Sequence, residues 1–106
     1  MKLSRTSISV DGDSRGVELF YLNEQLPPGA AVYLLYRQED LKRKTFSMPF
    51  DPIYIGQTED MAELCYEDLP QDKLCEADMI AVLWKWDDEI LDELFCKVKK
   101  SFPDVD

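Results

Sequence analysis

The chain has 106 residues, 45% of them hydrophobic and 11% aromatic, with a net charge of −10 and no histidine. That length supports one domain, and the composition rules out disorder of the whole chain. The missing histidine excludes a Ser-His-Asp triad or a Cys-His pair within it, and the acidity argues against sequence-independent binding of a phosphate backbone.

The N-terminal residues read as a short edge strand, with Ser7, Ile8, Ser9 and Val10 alternating before the turn signal Asp11-Gly12-Asp13. Val17–Leu22 is mixed in pattern, open to a strand or one helical turn, and Leu26-Pro27-Pro28-Gly29 is a break. Residues 1–28 are therefore expected to be an N-terminal extension to a core over 29–106. Ala30–Tyr36 is a continuous apolar run of strand length, as in a strand buried on both faces. A long polar and basic segment, Arg37–Met48, leads through Pro49-Phe50-Asp51-Pro52 to a second short strand, Ile53-Tyr54-Ile55, stopped by Gly56; together they form a long hairpin. Thr58 is placed to cap a helix carrying Met61, Leu64 and Cys65, and Pro70 to start a further short one. Met79–Trp86 reads as a central strand with Ile80, Val82, Trp84 and Trp86 on one face. Asp87 then caps an acidic helix on which Ile90, Leu91, Leu94, Phe95, Val98 and Phe102 recur near one helical turn, ending before Pro103.

Charge is unevenly distributed: residues 1–50 hold seven basic and six acidic side chains, residues 51–106 five and sixteen. Cys65, Cys75 and Cys96 have no C-x-x-C spacing, and without histidine they do not complete a zinc shell; reduced thiols are expected, with Cys96 a small buried hydrophobe. No apolar run approaches the roughly 20 residues of a membrane span. The first residues lack the apolar stretch of a signal peptide, so a soluble, cytoplasmic protein is expected.

The order of elements around Ala31-Val32-Tyr33 and Tyr54-Ile55-Gly56, followed by Gln57-Thr58-Glu59-Asp60-Met61, resembles the GIY-YIG nuclease superfamily over residues 28–106. The resemblance implies a small α+β domain with a three-stranded central sheet flanked by helices. In active members of that family a tyrosine near the strand ends helps activate water, a carboxylate on the last helix holds one divalent metal, and an arginine stabilises phosphate charge. Carried over, these roles fall on Tyr33 and Tyr54 as catalytic residues and on Glu93, beside Asp92, as the ligand of Mg²⁺ or Mn²⁺. The arginine position falls on Leu64, the GIY glycine is Ala31, and the basic residue after YIG is Gln57. Losing one preorganised donor costs about 3 kcal/mol of transition-state stabilisation. Arg37 and Lys73 are the cations open to substitute for it.

The expected function is accordingly a non-catalytic module that binds or regulates another protein, its acidic surface being one candidate contact, with no nucleic acid or membrane partner. The alternative is a weak or divergent metal-dependent phosphodiesterase using Tyr33, Tyr54 and Glu93. Candidate partner contacts are Phe46, Met48 and Phe50 beside Arg43 in the long loop, and Trp86 at the end of the third core strand.

Overall fold

The computed structural model describes residues 4–10, 12–37, 52–103 and 105, with side chains described from residue 7 onward. Its described residues form an α+β domain built on one five-stranded, wholly antiparallel sheet: β1 (Ser4–Val10), β2 (Asp13–Tyr21), β3 (Ala31–Tyr36), β4 (Tyr54–Thr58) and β5 (Met79–Trp84). The order across the sheet is β1-β2-β5-β3-β4.

The sheet corrects the expected count of three strands. Residues 4–21 are no appendage: β1 and β2 form a hairpin about Gly12, whose φ of 86° suits a residue without a side chain, and β2 pairs with β5 from Glu18↔Val82 to Tyr21↔Met79. The ambiguity over Val17–Leu22 resolves as strand, because Val17 and Leu19 lie on one face and Phe20 on the other, each against buried partners. β1 is an edge, as its alternation implied, and β4 is the other.

Each face of the sheet carries its own apolar layer. On one, Val17, Leu19, Val32, Leu34, Ile55, Ala81 and Leu83 pack under the long helix α2 (Leu91–Ser101) through Leu94 and Val98. On the other, Phe20, Ala31, Tyr33, Leu35, Ile80 and Val82 pack with Met61, Leu69 and Ala77 from the segment after β4 and the short helix α1 (Gln71–Glu76). Every residue of β3 is buried, which explains its unbroken apolar run.

Two expected helix starts are corrected. After β4 the chain forms two single 3₁₀ turns, Met61–Glu63 and Tyr66–Asp68, instead of one helix. A continuous helix would stack Glu59, Glu63 and Glu67 at i,i+4 spacing with no cation among them, which disfavours it. Asp60, not Thr58, caps the first turn, accepting from Ala62 N–H at 3.1 Å. The long helix starts at Leu91 behind Ile90, with no side-chain cap, instead of at Asp87. Gly56 does not stop its strand but lies within it, and Cys96 is exposed instead of buried.

Among the described residues, no helix is long and apolar enough to cross a membrane.

Candidate functional site

Tyr33 and Tyr54 come together as the motif implied. Their strands are neighbours, with Tyr33 opposite Gly56 and Leu35 opposite Tyr54, and their rings lie 6.4 Å apart at 43°. Tyr33 is only 3% exposed. Its ring lies so close over Gly56 that any side chain there would overlap Cζ and Oη, so this glycine serves a close approach and not a turn. Burial first, then the neighbouring phenols of Tyr54 and Tyr66, push the Tyr33 pKa well above the usual phenol range. A phenol held neutral in this way is a poor proton acceptor near pH 7.

The other positions of the implied constellation do not complete it. Leu64, where the resemblance would place an arginine, is half-buried in the same apolar layer as Tyr33 and Tyr54. Glu93 is exposed on α2, the helix that covers the opposite face of the sheet. The sheet itself therefore separates that helix from the tyrosine pair. Arg37 lies 3.2 Å from Glu76 in an exposed pair, and Lys73 is half-buried on α1. Among the described residues there is no group of three or more Cys, Asp or Glu arranged to hold a metal ion. Arg43, Phe46, Met48 and Phe50 lie outside the described residues.

The most elaborately held side chains converge at the corner where β5 turns into α2. Arg15 has the same strand parity as Val17 and Leu19, so its side chain enters the layer under α2 at the end of β2, where it is 8% exposed. It donates to both carboxylate oxygens of Glu89, at 2.8 and 3.1 Å, and to the Trp84 carbonyl at 3.1 Å. Its guanidinium carbon lies 3.6 Å from the Trp86 ring centre. Glu89 also accepts the Trp86 N–H at 2.8 Å, while Lys85 Nζ donates to the carbonyls of Trp86 and Glu89. This network closes a tight turn before the helix and explains its late start, because the Glu89 side chain is drawn back to Arg15. Trp84 stays in the sheet and donates its indole N–H to Glu18 at 2.6 Å. Trp86 leaves the strand and stands 59% exposed, with Ile90 61% exposed beyond it. The two tryptophans thus part company, although strand alternation placed them on one face.

Burial works to raise the Glu89 pKa, but hydrogen bonds from Arg15 and the Trp86 N–H, with the charges of Arg15 and Lys97, outweigh it and lower the value overall. A carboxylate with a depressed folded-state pKa contributes stability that is present above its unfolded value, about 4.3, and lost as pH falls through the folded value. Urea unfolding from pH 7 down to pH 3 should therefore show a loss in the native protein that is reduced in Glu89→Gln; equal slopes in the two would contradict the assignment.

Sequence reasoning named Trp86 but missed Arg15 and Glu89. A basic residue at an inward strand position was the available signal. Compared with family models, with curated proteins and with solved structures, the chain has no significant match in any of the three.

Proposed function

We propose that this chain is a non-catalytic, GIY-YIG-like domain that binds another protein through the corner at Trp86. The observation that carries this reading is a large indole exposed to solvent yet held in place by a nearly buried arginine. An exposed tryptophan held in one orientation loses little side-chain entropy on contact, and covering its free surface contributes roughly 3 kcal/mol at 25 cal/mol per Å². Such side chains are the usual anchors of protein interfaces. The absence of catalysis is supported by burial that holds the Tyr33 phenol in its neutral form, by Leu64 packing where a cation would serve, and by α2 lying across the sheet from the tyrosines.

A photo-crosslinking residue placed at position 86 of the full chain, and separately at the exposed position 100, tests both halves. Position 86 should give one discrete adduct in the native host, competed away by unlabelled protein, and position 100 should not. Purified protein with Mg²⁺ or Mn²⁺ should leave labelled DNA and RNA intact. Cleavage abolished by both Tyr54→Phe and Glu93→Ala would overturn the non-catalytic reading, and absence of any adduct specific to position 86 would overturn the binding one.

A further inference from the structure

The partner's chemistry follows from what surrounds the exposed indole. Asp87, Asp88, Asp92 and Glu93 are all exposed and fall within one turn of the chain on either side of Ile90. Among the described residues none of these four has an ion-pair partner, and of the cations near them Arg15 is engaged inwardly by Glu89 and Lys85 by two backbone carbonyls, while Lys97 is exposed beside Trp86. Four carboxylates against the one outward lysine leave the corner net negative, with Trp86 and Ile90 exposed along it. Beside it, between the end of β4 and the start of α2, opens a cleft of about 520 Å³ lined by Thr58, Glu59, Ile90, Leu91 and Asp92. Ile90 and Leu91 beside the Glu59 and Asp92 carboxylates suit a long side chain with a hydrocarbon stem and a cationic head.

That combination discriminates among occupants. A nucleic acid or an anionic membrane would be repelled by the four carboxylates. A second copy docked through the same patch across a two-fold axis would bring the two acidic rims together. A segment of another protein with apolar residues flanked by lysine or arginine meets the two exposed apolar side chains and the carboxylates between and beyond them.

We propose that the Trp86–Ile90 corner docks a basic, amphipathic segment of a partner protein, with Trp86 and Ile90 as apolar anchors and a lysine or arginine of that segment entering the cleft between Glu59 and Asp92. This rests on the protein-binding reading above and gives it a chemical class of partner.

The probe is a fluorescein-labelled synthetic helical peptide with leucines along one face and lysines and arginines at its flanks, paired with an analogue carrying glutamate at every cationic position. By fluorescence anisotropy the full-length protein should bind the cationic peptide, more weakly as salt rises, and not the acidic one. Trp86→Ala and Ile90→Ser should each weaken binding about tenfold, the size expected for an interface anchor. Ile90→Ser provides the check should Trp86→Ala disturb the Arg15 network. Glu59→Gln with Asp92→Asn should weaken binding and flatten its salt dependence. Equal binding of both peptides, no binding of the cationic one, or variants indistinguishable from the native protein would overturn the inference. If the peptide fails while the crosslinker at position 86 still gives its discrete adduct, the basic partner is wrong and protein binding stands; if both fail, both are wrong.

Discussion

Arg15→Ala is expected to destabilise the fold by about 3 kcal/mol, the scale for removing one member of a buried ion pair. The cost comes less from the lost attraction than from what is left behind. Glu89 would keep its enclosed position without the two charge-assisted bonds at 2.8 and 3.1 Å, and the Trp84 carbonyl would lose a donor. Arg15→Lys should recover only part of the loss, because an ammonium cannot reproduce the forked contact with both carboxylate oxygens or stack flat on the Trp86 ring. Urea unfolding followed by far-UV circular dichroism measures the loss, and tryptophan emission at zero denaturant reports whether the indole has been released. An Arg15→Ala protein within about 0.5 kcal/mol of the native one, the range of an ordinary surface change, would mean that the pair contributes nothing.

The second large effect is expected at Gly56. Gly56→Ala places a methyl group inside the space occupied by Cζ and Oη of Tyr33, and that ring, 3% exposed within a packed layer, must shift against its neighbours to accept it. Overpacking of this kind costs about 2–3 kcal/mol, and Gly56→Val more. The diagnostic result lies in the pair. Tyr33→Leu alone leaves a cavity and should destabilise, yet combined with Gly56→Ala the total should fall clearly below the sum, because each change makes room for the other. Strict additivity would show that the glycine is required for some reason other than the phenol opposite it.

These two sites mark where legibility in the sequence ends. β3 and β5 could be read directly, since continuous apolar runs of strand length admit few other structures, and the spacing of Leu94, Val98 and Phe102 located the buried side of α2. Adjacency of the Tyr33 and Tyr54 strands was legible through a short motif. The five-stranded sheet was not: β2 meets β5 across some sixty residues, and no local pattern states that pairing. Arg15 and Glu89 are 74 positions apart, so neither advertises the other. The expected helix after β4 does not form for a reason present in the sequence, the repetition of Glu59, Glu63 and Glu67 one turn apart, whose repulsion opposes the apolar stripe of Met61, Leu64 and Cys65. Trp86 reads mainly as a core residue that could also lie at the sheet edge as a contact; it is exposed, and what holds it could emerge only once β2 had found its place beside β5.

The strand order also sets a sequence of events during synthesis. β1 and β2 make one hairpin and β3 and β4 another, but β5 is the strand that joins them, and it is the last of the five to be made. Until residue 84 has left the ribosome, β2 and β3 lack the neighbour each bonds to on its inner side, and neither pair of strands can close its apolar faces. The domain is therefore assembled late, with its central strand serving as the closing piece, and the Trp86 corner takes shape directly behind it.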